Sequence, residues 1–229
     1  MANFKVTVRP GKYKGRYEVK PFGKPPLTKW ITGDKTLNLP PALYIVDTGA
    51  RVGESEIRFE VKADGAIVIR APRIAASAKG LVVTFNTAQV RIDPGDLHGT
   101  WTPSWAPKKP ISGAAGTVRV QLPRGLLYNV DSGAAQGPGN SGTASYFYFQ
   151  VTPAGFPRSR NGKAASGGRK LRFKTRQIYI DGSGLAKGPV SVSGYGKIKK
   201  AGQTIELIRS LKYGVRTAAE DRDIYINVS

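Results

Sequence analysis

The sequence of 229 residues contains no cysteine and a single histidine, His98. The absence of cysteine excludes a disulfide framework, a thiolate nucleophile and any zinc or iron–sulfur site built on cysteine. No apolar run approaches the roughly 20 residues that span a bilayer, and the N-terminal residues lack the apolar core of a secretory signal. We therefore expect a protein without a membrane span, located in the cytoplasm or in a virion-like particle.

Acidic side chains are also scarce. The chain has 36 Lys and Arg residues against 15 Asp and Glu residues, a net charge of +21, and no acid lies between Asp131 and Asp181. Solubility alone needs a net charge of magnitude about 2–8 in a small domain. The excess predicts attraction to a polyanion such as nucleic acid, anionic lipid or acidic polysaccharide.

Helical periodicity is missing, and alternation with a period of two takes its place. The segment 57–61 alternates apolar and charged residues before Asp64-Gly65, and 145–151 is apolar on both faces, which favours a central position in a sheet. With 28 glycines and 16 prolines between such runs, the sequence predicts an all-β protein. We expect an antiparallel sandwich, jelly roll or barrel of about a dozen strands, with under about a tenth of the residues in helix.

We expect residues 1–229 to form a single β-rich domain, which could divide in the Pro- and Gly-rich segments 103–116 or 131–142. The tripeptide Ile-Tyr-Ile occurs twice, at 178–180 and 224–226. Because the flanking residues do not match, we interpret this as coincidence rather than as an internal repeat.

The basic residues form two candidate polyanion-binding surfaces. Pro10-Gly11 is typical of a turn and predicts a hairpin of 3–9 with 12–20, which would place six cations on one face. Like charges opposite one another destabilise a hairpin unless they are solvated or meet a counter-charge. These six residues are Lys5, Arg9, Lys12, Lys14, Arg16 and Lys20.

The second surface begins in 154–170, which we expect to be a long exposed loop at an interface or against a ligand. The strand that follows would point four cations outward at intervals of roughly 6.6–7 Å, close to the spacing of successive phosphates. Such a row favours contact with a phosphate backbone over reading of bases. The residues are Arg158, Arg160, Lys163, Arg169, Lys170, Arg172, Lys174 and Arg176.

Aromatic and acidic residues provide the evidence for other functions. Trp101 and Trp105 flank a Pro-containing turn, where they could form an exposed platform for bases or sugar rings. Asp93, Asp96 and His98 could meet as a hydrolytic carboxylate pair or a metal site, but Asp93-Pro94-Gly95 is first of all a turn sequence. We expect no catalytic residue, no metal site and no cofactor.

The leading interpretation is a non-enzymatic structural subunit that assembles with copies of itself and contacts nucleic acid or another polyanion, as in a virion or phage coat or another nucleoprotein shell. One alternative is a β-sandwich module that binds carbohydrate or another ligand through its aromatic residues. A second alternative is a hydrolase that uses a carboxylate pair.

Overall fold

The computed structural model describes residues 2–49, 56–105, 110–134, 146–181, 190–193, 195–198, 202–217 and 224–229. In these residues the chain forms 23 short β-strands and one three-residue 3-10 helix, Gly113–Ala115. The expected all-β sandwich is thereby confirmed. The strands outnumber the expected dozen because many are only two to four residues long, too short to show alternation. No helix in the described ranges is long and apolar enough to cross a membrane.

The first eight strands form a sandwich of two four-stranded sheets, which we call the first repeat. One sheet has the strand order β3-β1-β8-β7 and the other β2-β4-β5-β6. The strands are β1 (Phe4–Arg9), β2 (Glu18–Pro21), β3 (Lys35–Leu39), β4 (Ala42–Asp47), β5 (Ile57–Val61), β6 (Ile67–Ala71), β7 (Ala76–Lys79) and β8 (Val82–Phe85).

The next nine strands form the second repeat, with sheet orders β12-β9-β17-β16 and β11-β10-β13-β14-β15. Strand β14 lies between two neighbours, as its apolar sequence predicted. The strands are β9 (Thr87–Asp93), β10 (Thr100–Pro103), β11 (Ile111–Ser112), β12 (Val118–Pro123), β13 (Leu127–Asp131), β14 (Tyr146–Val151), β15 (Pro157–Ser159), β16 (Ala164–Gly167) and β17 (Lys170–Phe173).

The last six strands form the third repeat, with sheet orders β18-β21 and β20-β19-β22-β23. The strands are β18 (Thr175–Ile180), β19 (Val190–Val192), β20 (Gly196–Ile198), β21 (Gln203–Ile208), β22 (Leu211–Thr217) and β23 (Ile224–Val228).

Strand pairing shows that the described strands of the three units share a common set of antiparallel pairings. The opening strand of each unit pairs antiparallel with a later strand: β1 with β3, β9 with β12, and β18 with β21. In the other sheet, each unit has an antiparallel pair of consecutive strands: β4 with β5, β13 with β14, and β22 with β23. The first two repeats also share a parallel pair, β1 with β8 and β9 with β17. The sequence carries this repeat as LYIVDTGA at 43–50 and LYNVDSGA at 127–134, a spacing that our sequence analysis missed. The two Ile-Tyr-Ile copies lie in the non-equivalent strands β18 and β23.

Consecutive repeats are joined by almost continuous strands. Only Asn86 separates β8 from β9, and only Lys174 separates β17 from β18. Buried residues of all three repeats belong to one connected apolar cluster. The segment 103–116 contains β11 and the 3-10 helix and leads from β10 to β12 of the other sheet, and 131–142 begins at the end of β13 and precedes β14. Residues 106–109 and 135–142 lie outside the described residues. The division of the chain into domains stays a prediction.

Two local predictions were wrong. Strand β1 does not form a hairpin with 12–20, because Pro10-Gly11 leads into a connection that crosses to the opposite sheet, where β2 pairs with β4. The segment 154–170 is not a loop, because it contains β15 and β16. Their order comes from ladder pairing with β14 and β17 and from Ala164, which is buried on the inner face.

Candidate anion-binding surface

Three cations lie side by side on the outer face of the β12-β9-β17-β16 sheet. Arg119 on β12 is directly opposite Arg91 on β9, and Arg91 is in turn opposite Lys170 on β17. All three side chains are exposed. Neighbouring strands are about 4.8 Å apart, so the row places three positive charges across roughly 10 Å. The residues that alternate with them, such as Val90 and Ile92, point into the core and hold the sheet in place.

The equivalent positions in the other repeats are neutral. In the first repeat the pair is Thr7 and Thr36, whose hydroxyl oxygens are hydrogen-bonded at 2.9 Å. In the third repeat it is Tyr179 and Thr204. Two arginines opposite one another are unfavourable in a sheet without a counter-charge. The fold itself therefore does not require this pair, since the same topology forms with Thr or Tyr in its place.

Asp93 partly neutralises one end of this row. Its carboxylate lies 2.6 Å from Lys170 Nζ and 3.3 Å from Arg172 Nη1, and Arg172 also contacts Asp96 at 3.4 Å. Burial acts to raise the pKa of Asp93, but the Lys170 ammonium, the Gly95 N–H and the Arg172 charge together outweigh it and hold this pKa below its usual value. The positive charge without a carboxylate partner is therefore concentrated at the Arg91 and Arg119 end.

A pocket of about 500 Å³ extends the row toward the first repeat. Lys12 and Lys14, on the connection after β1, face the edge strand β12 across this pocket, where Arg119 and Gln121 form the other wall together with Trp105. None of the described residues that line it is acidic. We call this the junction pocket, and we call Arg91, Arg119, Lys170, Lys12 and Lys14 together the cationic face.

The junction between the second and third repeats is built in the same way but is closed by hydrogen bonds. The connection after β9 approaches β21, where the Glu206 N–H donates to His98 Nδ1 at 3.0 Å and the His98 N–H donates to the Glu206 carbonyl oxygen at 3.1 Å. At the first junction the corresponding side chains are Lys14 and Gln121, which border the pocket. Among the residues that the structure describes, Lys14 and Gln121 of the first junction are thus replaced at the second by the hydrogen-bonded His98 and Glu206.

Four members of the cationic face have no carboxylate within ion-pair distance among the residues that the structure describes: Lys12, Lys14, Arg91 and Arg119. Guanidinium groups suit phosphate because they can bind two of its oxygens at once. The arrangement offers charge and hydrogen-bond donors over an extended surface. It can hold the backbone of a polyanion without reading a sequence.

The first predicted basic surface is divided by the fold. Arg9 is paired with Asp34 at 2.8 Å, and Lys20 with Glu56 at 3.2 Å and Asp47 at 3.7 Å. Lys5 is exposed on β1, and the buried Nε of Arg16 has no hydrogen-bond partner within the described part of the chain. Only the two lysines of the junction pocket remain together.

The second predicted surface is divided as well. The predicted alternation of exposed cations with buried apolar residues along 170–176 is confirmed. However, Lys174 separates two strands, β17 and β18, which belong to different sheets. Lys170 and Arg172 are ion-paired with Asp93, and Arg176 donates to the Ser229 backbone oxygen at 2.7 Å. The four cations therefore do not form the continuous row that the sequence predicted.

The remaining members of that surface lie on and around β15 and β16. Arg158 and Arg169 are exposed, and Arg160 donates to the Gln150 side chain. Lys163 is half-buried with Nζ 3.5 Å from the Tyr146 carbonyl oxygen, and burial lowers its pKa. Lys163 is thus a weaker candidate for anion contact than its exposed neighbours.

The prediction of an exposed aromatic platform was wrong. Trp101 and Trp105 are only 1 % and 5 % exposed. Trp101 packs edge-on against Phe173, and Trp105 packs edge-on against Phe149, because the strand ends around them turn these large side chains into the core. Trp101 and Trp105 therefore do not provide an exposed surface that could bind carbohydrate.

The acidic candidates and His98 are engaged in ion pairs and hydrogen bonds. Asp93 and Asp96 are held by Lys170 and Arg172, and His98 is bonded to the backbone of β21. The Asp93 carboxylate also accepts the Gly95 N–H at 2.8 Å, as a turn residue does. These contacts assign a structural role to each of the three residues.

Sequence reasoning missed Arg91 and Arg119, which lie 28 residues apart in different alternating runs. Each looked like one solvated charge in its strand, and only the pairing of β9 with β12 brings them together. The 84-residue repeat could have singled out Arg91, since aligning its copies sets Arg91 against Thr7, but the same alignment sets Arg119 against Lys35, and only strand register relates Arg119 to Thr36.

Comparison with known proteins does not identify a family. No family profile matches the chain, and no curated protein matches it. Among solved structures, a pilus adhesin, SpaC from Lactobacillus rhamnosus GG, aligns with 73 % of this chain at 12 % identity and a TM-score of 0.25. This chain covers 30 % of that adhesin. The similarity is too low to support an argument about fold or function.

Proposed function

We propose that this chain is a non-enzymatic structural protein of tandem β-sandwich repeats that binds a polyanion across its cationic face. The observation that carries the proposal is the cross-strand pair Arg91–Arg119, which has a neutral counterpart in both other repeats. Like charges at that position weaken the sheet unless an anion sits over them. A bound phosphate or sulfate group would turn this repulsion into attraction to both guanidinium groups.

The junction pocket supports the same proposal. Lys12 and Lys14 belong to the first repeat, whereas Arg119 belongs to the second, so an anion bound there would contact both units. Binding would therefore stabilise the junction as well as neutralise the charge. The closed second junction, held by His98 and Glu206, needs no such ligand.

The chemistry of the site favours a phosphate backbone and no particular base sequence. Four unpaired cations could each displace counterions from a single-stranded nucleic acid, and each contact steepens the dependence of log K on log salt by about 0.7. We therefore expect a slope near −3 and affinities that are similar for all sequences. A virion or phage coat, or another nucleoprotein shell assembled from copies of this chain, would use such a surface.

Size-exclusion chromatography with light scattering tests the proposal, with absorbance recorded at 260 and 280 nm in low and high salt. The proposal predicts a 260/280 ratio raised by co-purified nucleic acid in low salt, which falls to that of protein alone in high salt. Protein that stays free of added nucleic acid in low salt would contradict it. The same light-scattering trace reports whether copies assemble, which stays a prediction.

A further inference from the structure

A second cleft lies at the start of β2, on the outer side of the β2-β4-β5-β6 sheet. Its volume is about 590 Å³, and no described residue lines both this cleft and the junction pocket. Trp30 forms part of its wall and is 41 % exposed, whereas the other two tryptophans of the chain are buried. Arg16, Glu18 and Lys29 line the same cleft. We call it the Trp30 cleft.

Backbone pairing fixes the two sides of the Trp30 cleft. Tyr17 and Ile31 exchange two backbone hydrogen bonds, at 2.9 and 2.8 Å, and this register sets Trp30 opposite Glu18. The side chains of Tyr17 and Val19 are buried, so Glu18 between them is directed away from the core. The aromatic ring and the carboxylate are therefore brought together by the fold itself, as in a binding site formed before its ligand arrives.

The second repeat shows that the fold does not require these side chains. Trp101 pairs there with Ile111 as Tyr17 pairs with Ile31 in the first repeat. An exposed indole ring contributes little to stability, because much of its apolar area stays in water. The same register replaces Arg16 by Thr100, Glu18 by Thr102 and Trp30 by Pro110.

The charges of the cleft favour a neutral ligand that both donates and accepts hydrogen bonds. Arg16 and Lys29 would repel a cation, and Glu18 would repel an anion. Burial and the nearby Asp47 charge raise the pKa of Glu18, although Lys20 acts in the opposite direction. This partly desolvated carboxylate is stabilised by a hydroxyl group that donates to it, whereas the guanidinium group of Arg16 needs an acceptor.

We infer that the Trp30 cleft binds a neutral pyranose sugar, a function separate from the binding of a polyanion. The apolar C–H face of the sugar ring stacks on Trp30, and its hydroxyl groups donate to Glu18 and accept from Arg16. A nucleotide fits less well, because its phosphate would lie close to the Glu18 carboxylate. A peptide strand fits less well too, because Ile31 already pairs with the edge of the sheet beside the cleft.

Calorimetric titration with neutral hexasaccharides tests the inference. The probes are cellohexaose, maltohexaose, mannohexaose and chitohexaose, and we expect saturable binding of at least one. A neutral ligand releases no condensed counterions, so its affinity should be unchanged between about 0.05 and 0.5 M salt. The variant Arg91→Thr with Arg119→Thr should bind it as the unchanged protein does, which keeps this outcome separate from that of the cationic face. Binding of none of the four, or a salt slope as steep as that of a nucleic acid, would overturn the inference.

Substitutions at the cleft test whether Trp30 carries the binding. Trp30→Ala should weaken it at least about tenfold, and Trp30→Phe should retain part of it, because a smaller aromatic ring remains. The matched control is Phe156→Ala, which removes a 45 % exposed ring from the second repeat and should have no effect. Equal affinities of Trp30→Ala and Phe156→Ala for the sugar would refute the site.

The polar side of the cleft has its own variant, which borrows the residues of the second repeat. Arg16→Thr with Glu18→Thr should weaken sugar binding about tenfold, because two hydrogen bonds to charged groups are lost. Circular dichroism should show the variant folded, since Thr100 and Thr102 occupy the same positions in the second repeat. If Trp30→Ala lowers the affinity for a single-stranded oligonucleotide and leaves sugar binding unchanged, a base is the ligand and our choice is wrong.

Discussion

Replacing the arginine pair with the threonine pair of the first repeat should raise the stability of the protein and lower its affinity for polyanions. The change is Arg91→Thr together with Arg119→Thr, and the first repeat shows that the topology accepts it, with Thr7 and Thr36 hydrogen-bonded at 2.9 Å. An ordinary surface substitution would not be expected to move stability and binding in opposite directions. The double variant therefore tests whether the two arginines serve polyanion binding, in which case affinity falls while stability rises, or serve the fold, in which case stability falls.

The size of the stability change follows from the position of the pair. Two exposed guanidinium groups about 7 Å apart in water repel by roughly 0.6 kcal/mol, and threonine is a good strand former. We expect the free energy of unfolding to rise by about 0.5–1 kcal/mol, which corresponds to roughly 1–4 °C in Tm for a chain of this length. Thermal and denaturant unfolding followed by circular dichroism would measure it.

The size of the binding change follows from counterion release. Loss of two contacts to a single strand should flatten the slope of log K against log salt by about 1.4, or roughly 25-fold in affinity at 0.1 M salt. Fluorescence anisotropy with a labelled 30-nucleotide single strand would measure both quantities. A control variant, Lys62→Thr with Lys79→Thr, removes the same charge from exposed positions of the first repeat. If both double variants lose affinity equally, only net charge matters and the site is refuted.

Three further outcomes are expected. Asp93→Asn should lower stability by about 1 kcal/mol at neutral pH and raise polyanion affinity, because it removes one anion and frees Lys170, while Arg172 keeps Asp96. Because the folded pKa of Asp93 is lowered, its stabilisation is present above the unfolded pKa of about 4 and lost as pH falls through the folded value, so the stability gap measured by denaturant titration should close in acid. Lys12→Gln with Lys14→Gln should weaken binding about 25-fold at 0.1 M salt, as anisotropy would show, with unchanged Tm. Gly15→Ala should lower Tm, because a Cβ there would clash with the Trp105 carbonyl oxygen, whereas Gly167→Ala, which meets nothing within 4 Å, should not.

The strands were predictable from sequence because alternation is a local property. The buried positions of β5, Ile57, Phe59 and Val61, follow directly from the period of two, and so does the central place of β14. The pairing of strands was not predictable in the same way, because Pro10-Gly11 has the composition of a hairpin turn and yet connects two different sheets. Turn chemistry specifies a local bend, whereas the partner of a strand depends on which apolar faces meet in the core.

The candidate site shows the same division between local and distant information. The exposure of Lys170 and Arg172 was correctly expected from alternation, but their partner Asp93 lies on β9, far away in sequence. Trp101 and Trp105 lie on either side of Pro103 in the sequence, each two residues from it, yet they pack against aromatic rings from β17 and β14 in the core. A net charge of +21 favours a polyanionic ligand, whereas only strand register places Arg91 opposite Arg119.

Arginine footprinting tests the location of polyanion binding most directly. The protein would be modified with phenylglyoxal in the presence and absence of a single-stranded oligonucleotide, and the rate at each arginine would be measured by mass spectrometry. The account predicts that Arg91 and Arg119 are protected by the oligonucleotide, while Arg70, which is paired with Glu60 in the first repeat, reacts at an unchanged rate. Equal protection of all three arginines, or protection of none at a saturating oligonucleotide concentration, would contradict it.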